Sequence, residues 1–468
     1  MVATVGQLRG LAALGLLDEI GYLSTVSGSS WAVVPYLFAA DGADRLGQVT
    51  PPDQLTRTRL AVVEPSSLLH PSTHSFRETL QALETDRSVP AGEVWTRAVG
   101  QVFLRPYGLD ESTAGIIPLH AGPALCHGDE RRLPGCAPRV ARPCPVVHAT
   151  LRWPETRSAT QHLVPVEFTP FAAGTPQRRV LVDPVAGRRV VGGSYVETVG
   201  FGCDPPEHPT EVDGVVRVVP RDSPFALAEI IGASSAFNTP DRDVAYYPHA
   251  VTWTMPPFEG GAVGGWDLLT DGGDVDPLGC LPMLRRRIPR LVIALNSVWP
   301  LTPDYDPTHW PSPGQVDPAL PSLFGQPDAE RPNNHVFSRE AYETLVSSWQ
   351  TAQREGRPLV TQLRLKVHAN SWWGIDGGWD VSTCWMYTHR VAQWEQRIPD
   401  EVRQLLPTQL DRADGPVAWF PHYRTIGQNS GALTRLSPIQ ANLLAELSGW
   451  TTLESAETLR AVLCPETK

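Results

Sequence analysis

The sequence lacks several features that would assign its class at once. It has no run of about 18 apolar residues, so no transmembrane helix is predicted. Cysteine is scarce, with seven residues scattered over 468, which excludes a disulfide-stabilised scaffold and is typical of reduced thiols in the cytoplasm. Basic residues number 39 against 50 acidic ones, and the net charge of −11 argues against nonspecific binding to nucleic acid.

Metal-ligand spacings are also absent. One segment does collect ligand types, namely Cys126, His127, Cys136, Cys144 and His148. It contains no C-x-x-C pair and fits no zinc pattern, so we interpret these residues as buried or loop side chains. No metal or other cofactor is expected.

Local patterns along the chain alternate between helix and strand. The first 40 residues give a helix (5–19), a short strand (22–26), a tight turn and an apolar helix from Trp31, which is the order typical of an α/β fold. Further strands are predicted at 145–153 and 290–296, and the second of these is apolar throughout, as in a buried parallel strand. A hairpin is predicted around DPVAG, residues 183–187.

Proline defines the expected domain limits. The chain has 46 prolines, and nine of them lie between residues 300 and 332. We therefore predict a catalytic core over 1–299 with an insertion around 45–140, a proline-rich loop or cap over 300–337, and strands and helices over 338–468 that pack on the core. The alternating segment LRLKVHA (363–369) predicts a half-buried strand that returns to the main sheet.

The segment LSTVSGSSW (23–31) is the first candidate for chemistry. A strand-to-helix elbow lifts a serine out of a sheet and directs the following N–H groups at a reacting carbonyl. Ser27 fits because Gly28 and Ser29 follow it, although Thr25 stands where glycine is usual. Ser30 is the alternative nucleophile, and a polar turn or helix cap is the alternative without chemistry.

A second candidate segment is LLTDGGDVDPLGC, residues 268–280. Asp271 precedes two glycines, which leave space beside its carboxylate. Asp274 and Asp276 crowd the same loop, and like charges tend to raise a carboxyl pKa. An ordinary surface turn and a calcium loop are the alternatives, although the glycine and the terminal glutamate of the calcium pattern are missing.

Four segments together resemble the patatin-like lipid acyl hydrolases. The closest likeness is to the catalytic domain of cytosolic phospholipase A2 and the fungal lysophospholipases (phospholipase B). The segments, in the family's order, are LLDEIGYLSTVSGSSW (16–31), VEFTPF (166–171), IIGASSAFN (230–238) and DGGDVDPLGCLPML (271–284). The resemblance implies a patatin-like three-layer α/β fold, with a central mixed sheet flanked by helices and with proline-rich loop and helical insertions.

The resemblance also implies a mechanism. Ser27 would be the nucleophile, Asp271 its base without any histidine, and the Gly28 N–H part of the oxyanion hole. The substrate would be a phospholipid or lysophospholipid, met by a cytoplasmic protein at a membrane surface. The family's G-G-G-x-R-A segment would precede Met1, so we expect either a start further upstream or a loss of that machinery. The asparagine of the family's loop is also replaced, at Leu278 or a residue beside it.

Three alternatives stay open at this point. A relative without catalytic activity could bind lipid or a partner through the same pocket. Asp376, in a second Asp-Gly-Gly segment, could replace Asp271 as the base. A serine–histidine–aspartate triad would require a downstream histidine, for which His368, His389 and His422 are available.

Overall fold

The computed structural model describes residues 1–110, 143–155, 161–204, 225–237, 244–254, 264–408, 415–423 and 435–464, together with four short strands between these ranges. The chain forms two compact units. The site unit comprises Tyr22–Gly42 and Glu78–Gly279, and the second unit comprises Met1–Gly21, Ala43–Arg77 and Cys280–Lys468. No helix within these described ranges is both long and apolar enough to cross a bilayer.

The strands are numbered in chain order. They are β1 (Tyr22–Val26), β2 (Ala124–Cys126), β3 (Arg132–Pro134), β4 (Cys144–Trp153), β5 (His162–Phe168), β6 (Ala173–Thr175), β7 (Arg179–Asp183), β8 (Gly187–Val191), β9 (Ser194–Val196), β10 (Glu211–Val212), β11 (Val215–Val216), β12 (His249–Trp253), β13 (Gly264–Asp271), β14 (Arg290–Leu295), β15 (Leu359–Lys366) and β16 (Asp380–Tyr387).

The α-helices are numbered in the same way. They are α1 (Val2–Ala13), α2 (Ser30–Phe38), α3 (Arg57–Leu60), α4 (Phe76–Thr85), α5 (Val94–Val99), α6 (Leu227–Ser234), α7 (Leu281–Arg285), α8 (Ala319–Leu323), α9 (Arg339–Arg354), α10 (Ala392–Arg397), α11 (Asp400–Arg403), α12 (Pro438–Glu454) and α13 (Ala456–Leu463).

A seven-stranded sheet forms the centre of the site unit. Its order is β12-β13-β4-β5-β6-β9, and β1 pairs with β4 in addition. The β1–β4 pair is parallel and the other pairs are antiparallel, so the sheet is mixed. Helices α2 and α6 pack on it. The prediction of an α/β fold with a central mixed sheet flanked by helices is confirmed.

Helix α6 is fixed by aromatic and glycine contacts on its outer side. Trp95 of α5 donates its indole N–H to the carbonyl of Gly232 at 3.0 Å. Gly232 has no side chain to separate the two helices, and a Cβ there would lie 2.8 Å from the Thr96 methyl. The ring of Trp95 also packs against Phe237 and Tyr247, with ring centroids 5.3 Å apart in both pairs. These contacts define where the C-terminal end of α6 meets the sheet.

The second unit has its own sheet and a helix pair. Strands β14, β16 and β15 form a three-stranded sheet in that order, with β14 parallel and β15 antiparallel to β16. Helix α1 packs on α12 at a point where glycine is needed, since a Cβ on Gly6 would lie 2.2 Å from the Ala445 carbonyl oxygen. Ser338 and Ser437 also fit the sequence pattern of helix N-caps, which the structure confirms, because each accepts a hydrogen bond from the backbone of its helix.

Two strand expectations are wrong in this unit. The strand within LRLKVHA does not return to the main sheet, because β15 pairs with β16 in the separate sheet. Strand β14 pairs in parallel with β16 as expected, but it is an edge strand whose residues alternate between buried and partly exposed, so it is not buried on both faces. An apolar run of this length is compatible with either position. The division into 1–299, 300–337 and 338–468 stays a prediction.

Candidate active site

Two strands of the main sheet end head to head beside β4. Strand β1 runs parallel to β4 and pairs Val26 with His148, whereas β13 runs antiparallel and pairs Asp271 with Ala149. His148 and Ala149 are consecutive, about 3.3 Å apart along the strand. Strands β1 and β13 therefore meet end to end at adjacent positions of β4, and the backbone must leave the sheet at the end of each of them. This register places the residues after β1 next to the end of β13.

Ser27 occupies the elbow at this point. It follows β1 directly, opens a single 3-10 turn (Ser27–Ser29), and α2 begins at Ser30. Its φ of +53° is in the left-handed region, which costs a residue with a side chain about 1–3 kcal/mol. The strand–turn–helix prediction is confirmed, with Ser27 at the apex and half-buried.

The neighbouring serines hold the elbow through their hydroxyl groups. Ser29 Oγ accepts the Val26 N–H at 2.8 Å, donates to the Val26 carbonyl at 2.5 Å and contacts Thr25 Oγ1 at 2.7 Å. Ser30 Oγ donates to the Ser27 carbonyl at 2.6 Å, and Ser30 is fully buried. The hydroxyl that was the alternative nucleophile is therefore directed into the turn.

The Ser27 hydroxyl points toward Asp271. Ser27 Oγ donates to Asp271 Oδ2 at 2.6 Å, and the other carboxylate oxygen, Oδ1, accepts the Gly273 N–H at 2.7 Å. Asp271 is 6% exposed. Burial, and next the charge of Asp274, raise the pKa of Asp271 to about 7, against the opposing effect of these two hydrogen bonds.

The glycines after Asp271 are required by close packing. A Cβ on Gly272 would lie 2.5 Å from the His148 carbonyl oxygen, and a Cβ on Gly273 would lie 3.0 Å from Asp271 Oδ1. Asp271 also caps the short 3-10 turn Gly272–Asp274. The two glycines therefore allow the chain to pass β4 closely and turn an N–H group toward the carboxylate.

The acidic neighbours in this loop are held by separate partners. Asp274 Oδ2 accepts hydrogen bonds from Arg152 at 3.1 Å and from the Thr270 hydroxyl at 2.7 Å. Asp276 is buried, and its Oδ1 accepts the N–H groups of Leu278 and Gly279 at 3.2 and 3.0 Å. Asp276 therefore closes the far end of the loop.

The segment GASSAF (232–237) forms hydrogen bonds with both Ser27 and Asp271. The sequence did not predict this supporting role. Ser234 Oγ accepts the Ser27 N–H at 3.1 Å, and the Ala236 carbonyl accepts the Asp271 N–H at 3.0 Å. Ser235 Oγ accepts the Trp31 indole N–H at 3.0 Å. Ser234 is about 200 positions from Ser27, so no local pattern could show this contact.

A second polar cluster is formed by Ser24 of β1, three residues before Ser27, together with His148 and Gly279. Ser24 Oγ is 2.7 Å from His148 Nε2 and 2.5 Å from the Gly279 carbonyl oxygen. Since a carbonyl can only accept, the Ser24 proton goes to Gly279, and His148 Nε2 must donate to Ser24. This histidine therefore cannot be the base for Ser24, and the three groups instead join β1, β4 and the end of the Asp271 loop.

The other sequence candidates lie elsewhere. Asp376 belongs to the second unit, is 78% exposed at its side chain and pairs with Arg287 at 3.9 Å. The three candidate histidines, His368, His389 and His422, also belong to that unit. Of the cysteine–histidine segment, His127 and Cys136 lie outside the described residues.

Comparisons with known proteins give a weak structural likeness. No protein-family model matches the chain, and no curated protein sequence matches it significantly. Human GIVD cytosolic phospholipase A2 is similar at a TM-score of 0.45 and 13% identity. The same human protein in complex with methyl gamma-linolenyl fluorophosphonate inhibitor and terbium chloride is similar at a TM-score of 0.34 and 14% identity.

These matches cover 99% of this chain but only 58% and 57% of the human chains. This chain therefore spans less than three fifths of their length. At such low TM-scores, no conclusion about function rests on the two structures.

Proposed function

We propose that this protein is a serine-dependent hydrolase of carboxylic esters that uses a Ser27–Asp271 dyad. The observation that carries the proposal is the 2.6 Å hydrogen bond from Ser27 Oγ to a buried Asp271, made from a strained elbow. Strain of this kind is tolerated where a side chain must be presented in one direction. A merely structural turn at this position would favour glycine.

The pKa of Asp271 suits both halves of such a reaction. At a value of about 7, the carboxylate can take the proton of Ser27 as the hydroxyl attacks the ester carbonyl. The resulting carboxyl can then protonate the leaving alcohol, and an acyl group stays on Ser27 Oγ. Asp271 then deprotonates water, which attacks this acyl-enzyme; the bond to Ser27 Oγ breaks, the acid is released, and the proton returns from Asp271 to Ser27 Oγ.

The oxyanion of each tetrahedral step requires donors near Ser27. The Gly28 N–H belongs to the 3-10 turn that leads into α2, where N–H groups lack intrahelical acceptors. We assign it one of these donor positions, in agreement with the family resemblance. The helix that follows adds the favourable end of its dipole.

Lipid esters are the substrate class that the four family-like segments favour. All four contribute to the site unit: LSTVSGSSW gives the elbow, GASSAF its support, DGGDVDPLG the base loop, and VEFTPF the end of β5. We therefore propose phospholipids or lysophospholipids as substrates. The proposed reaction is acyl transfer to water.

Labelling with a fluorophosphonate tests the proposal on the chain as it is. The probe should form one adduct, located on Ser27 by peptide mass spectrometry, and Ser27→Ala should abolish it. Ser30→Ala is the matched comparison, since its hydroxyl lies three residues away and supports the elbow through the Ser27 carbonyl; it should keep the adduct on Ser27, formed more slowly. Release of fatty acid from lysophospholipid should follow the same order.

Two results would contradict the proposal. An adduct on Ser30 or elsewhere would remove Ser27 from its role. A chain that never reacts, yet still binds lysophospholipid micelles, would favour the alternative of a lipid-binding protein without catalytic activity.

A further inference from the structure

Exposed apolar side chains are concentrated on the β7–β8 hairpin. Nine large apolar side chains are exposed in the described part of the chain, and three of them belong to this hairpin. Val180 is 49% exposed, Val182 58% and Val185, in the connecting turn, 94%. Single exposed apolar residues need no explanation, but a group of them on one hairpin indicates an interaction surface.

The hairpin is ordered by hydrogen bonds in its turn and by burial of one face. Its turn is ordered by Asp183, whose Oδ1 accepts the N–H groups of Val185 and Ala186 at 2.8 and 2.7 Å. On the buried side, Leu181 is 4% exposed. The hairpin is thus attached to the unit, and its exposed valines do not result from a loose segment.

Contacts with the main sheet add to this attachment. His162 of β5 lies with its Nε2 2.9 Å from the Val182 carbonyl oxygen. Arg189 forms an ion pair with the buried Asp267 of β13. The position of the hairpin relative to the sheet is therefore fixed by both a strand neighbour and a charge pair.

Positive charge surrounds the exposed valines. The segment 178–191 contains four arginines and one aspartate, and Asp267 of β13 pairs with one of the arginines, so the local net charge is 4 − 2 = +2 within a chain whose net charge is −11. Arg178 and Arg188 are exposed, and Arg188 lies directly opposite Val182 in the hairpin register. Apolar tips beside guanidinium groups match a surface with hydrocarbon below and anionic groups above.

We infer that the β7–β8 hairpin docks the protein on an anionic lipid surface. Val182 and Val185 would enter the boundary between headgroups and acyl chains, while the exposed Arg178 and Arg188 extend their charged ends toward the phosphates. This inference rests on the proposed function for its choice of a lipid, rather than a protein, as the partner.

The place of the hairpin relative to the site is consistent with such docking. Arg189 is bound to Asp267, which precedes Asp271 by four residues on β13. At about 3.3 Å per residue, that contact lies roughly 13 Å from the Asp271 position. Side chains two apart on a strand share a face, so Asp267 and Asp271 point to the same side of the sheet. The hairpin is therefore anchored one strand length from the dyad.

Vesicle flotation of the Ser27→Ala chain measures docking without hydrolysis. The probes are vesicles of phosphatidylcholine alone and of phosphatidylcholine with phosphatidylglycerol. We expect binding to the anionic vesicles that weakens as salt is raised. Val182→Asp combined with Val185→Asp should weaken it at least tenfold, because two carboxylates would have to enter the boundary region. Arg188→Glu should weaken it on anionic vesicles only.

Val62→Asp is the matched control, since Val62 is 55% exposed but belongs to the second unit. It should bind like the parent chain. Equal binding by the control and the double variant would overturn the inference, as would binding by neither the parent nor any variant. Unchanged thermal unfolding of the double variant verifies that it is folded.

Failure of this inference can be told apart from failure of the proposed function. If the Ser27-containing chain hydrolyses a short soluble ester but binds no vesicle, only the docking proposal fails. If vesicles are bound in the expected pattern while no ester is cleaved and no fluorophosphonate adduct forms, the docking surface stands and the hydrolase proposal fails.

Discussion

Replacing Asp271 by asparagine is the most direct perturbation of the candidate site. The amide oxygen can still accept the Gly273 N–H, but the side chain can no longer take a proton from Ser27. Loss of a positioned general base typically lowers the rate by about 10²–10⁴-fold. We expect Asp271→Asn to reduce both fluorophosphonate labelling and ester hydrolysis by a factor in this range.

The pH dependence gives a second signature of the same residue. Because its pKa is about 7, Asp271 is mostly protonated in mild acid and cannot act as a base there. The labelling rate of the unaltered chain should fall about tenfold per pH unit below that value and level off above it. The residual rate of Asp271→Asn should lack this slope.

Stability should change in the opposite direction to activity. The pKa of Asp271 is 3.8 in the unfolded chain and about 7 in the folded protein. The free energy of unfolding is therefore highest below pH 3.8, where Asp271 is protonated in both states, and it falls as the pH rises to 7, because only the unfolded chain releases the proton readily. At 1.36 kcal/mol per pH unit, the loss approaches about 4 kcal/mol. Asp271→Asn avoids it, so the variant should be the more stable chain at pH 8 and about equal at pH 4, measured by urea unfolding.

Asp376→Asn is the control for all three measurements, because its exposed carboxylate belongs to a similar Asp-Gly-Gly sequence in the second unit. It should match the unaltered chain throughout. A full labelling rate in Asp271→Asn would refute the assignment of the base. A variant that is less stable at pH 8 would refute the account of the burial cost.

Three further changes test the groups around the site and one buried cluster. Ser234→Ala removes the acceptor of the Ser27 N–H and should slow labelling roughly tenfold at unchanged probe affinity, with partial recovery in Ser234→Thr. His148→Ala should slow labelling by a similar factor because Ser24 loses its donor, whereas His148→Gln, whose amide can donate, should recover part of the rate. Burial, then the charges of His422 and Arg390, lower the pKa of His389 to about 3, so stability should fall as the pH drops from 6.5 toward 3, and His389→Gln should flatten that decline in thermal unfolding.

Local sequence patterns predicted the individual elements well. The bounds of β1 agree with the predicted strand 22–26, and the hairpin around DPVAG is present as β7 and β8. Both depend on interactions within a few residues, such as alternation of apolar side chains and a turn that suits its residues. The caps Ser338 and Ser437 belong to the same class, since each bonds within its own first turn.

Pairing between distant strands could not be predicted in this way. The segment 359–366 has the pattern of a half-buried strand, but that pattern does not state which sheet it joins, and β15 belongs to the second unit. The head-to-head arrangement of β1 and β13 beside β4 is likewise a matter of register. Ser27 and Asp271 were predicted from motifs, whereas the geometry that brings them within 2.6 Å depends on this pairing.

The roles of the clustered serines follow from the cost of the elbow. A left-handed φ at Ser27 costs about 1–3 kcal/mol, while one intramolecular hydrogen bond contributes about 0.5–1.5 kcal/mol. Four such bonds brace the turn: two made by Ser29, one by Ser30 and one by Ser234. Together they are sufficient to offset the strain without a glycine at the apex. The serines flanking Ser27 are therefore best explained as the support that allows one hydroxyl, that of Ser27, to point away from the turn toward Asp271.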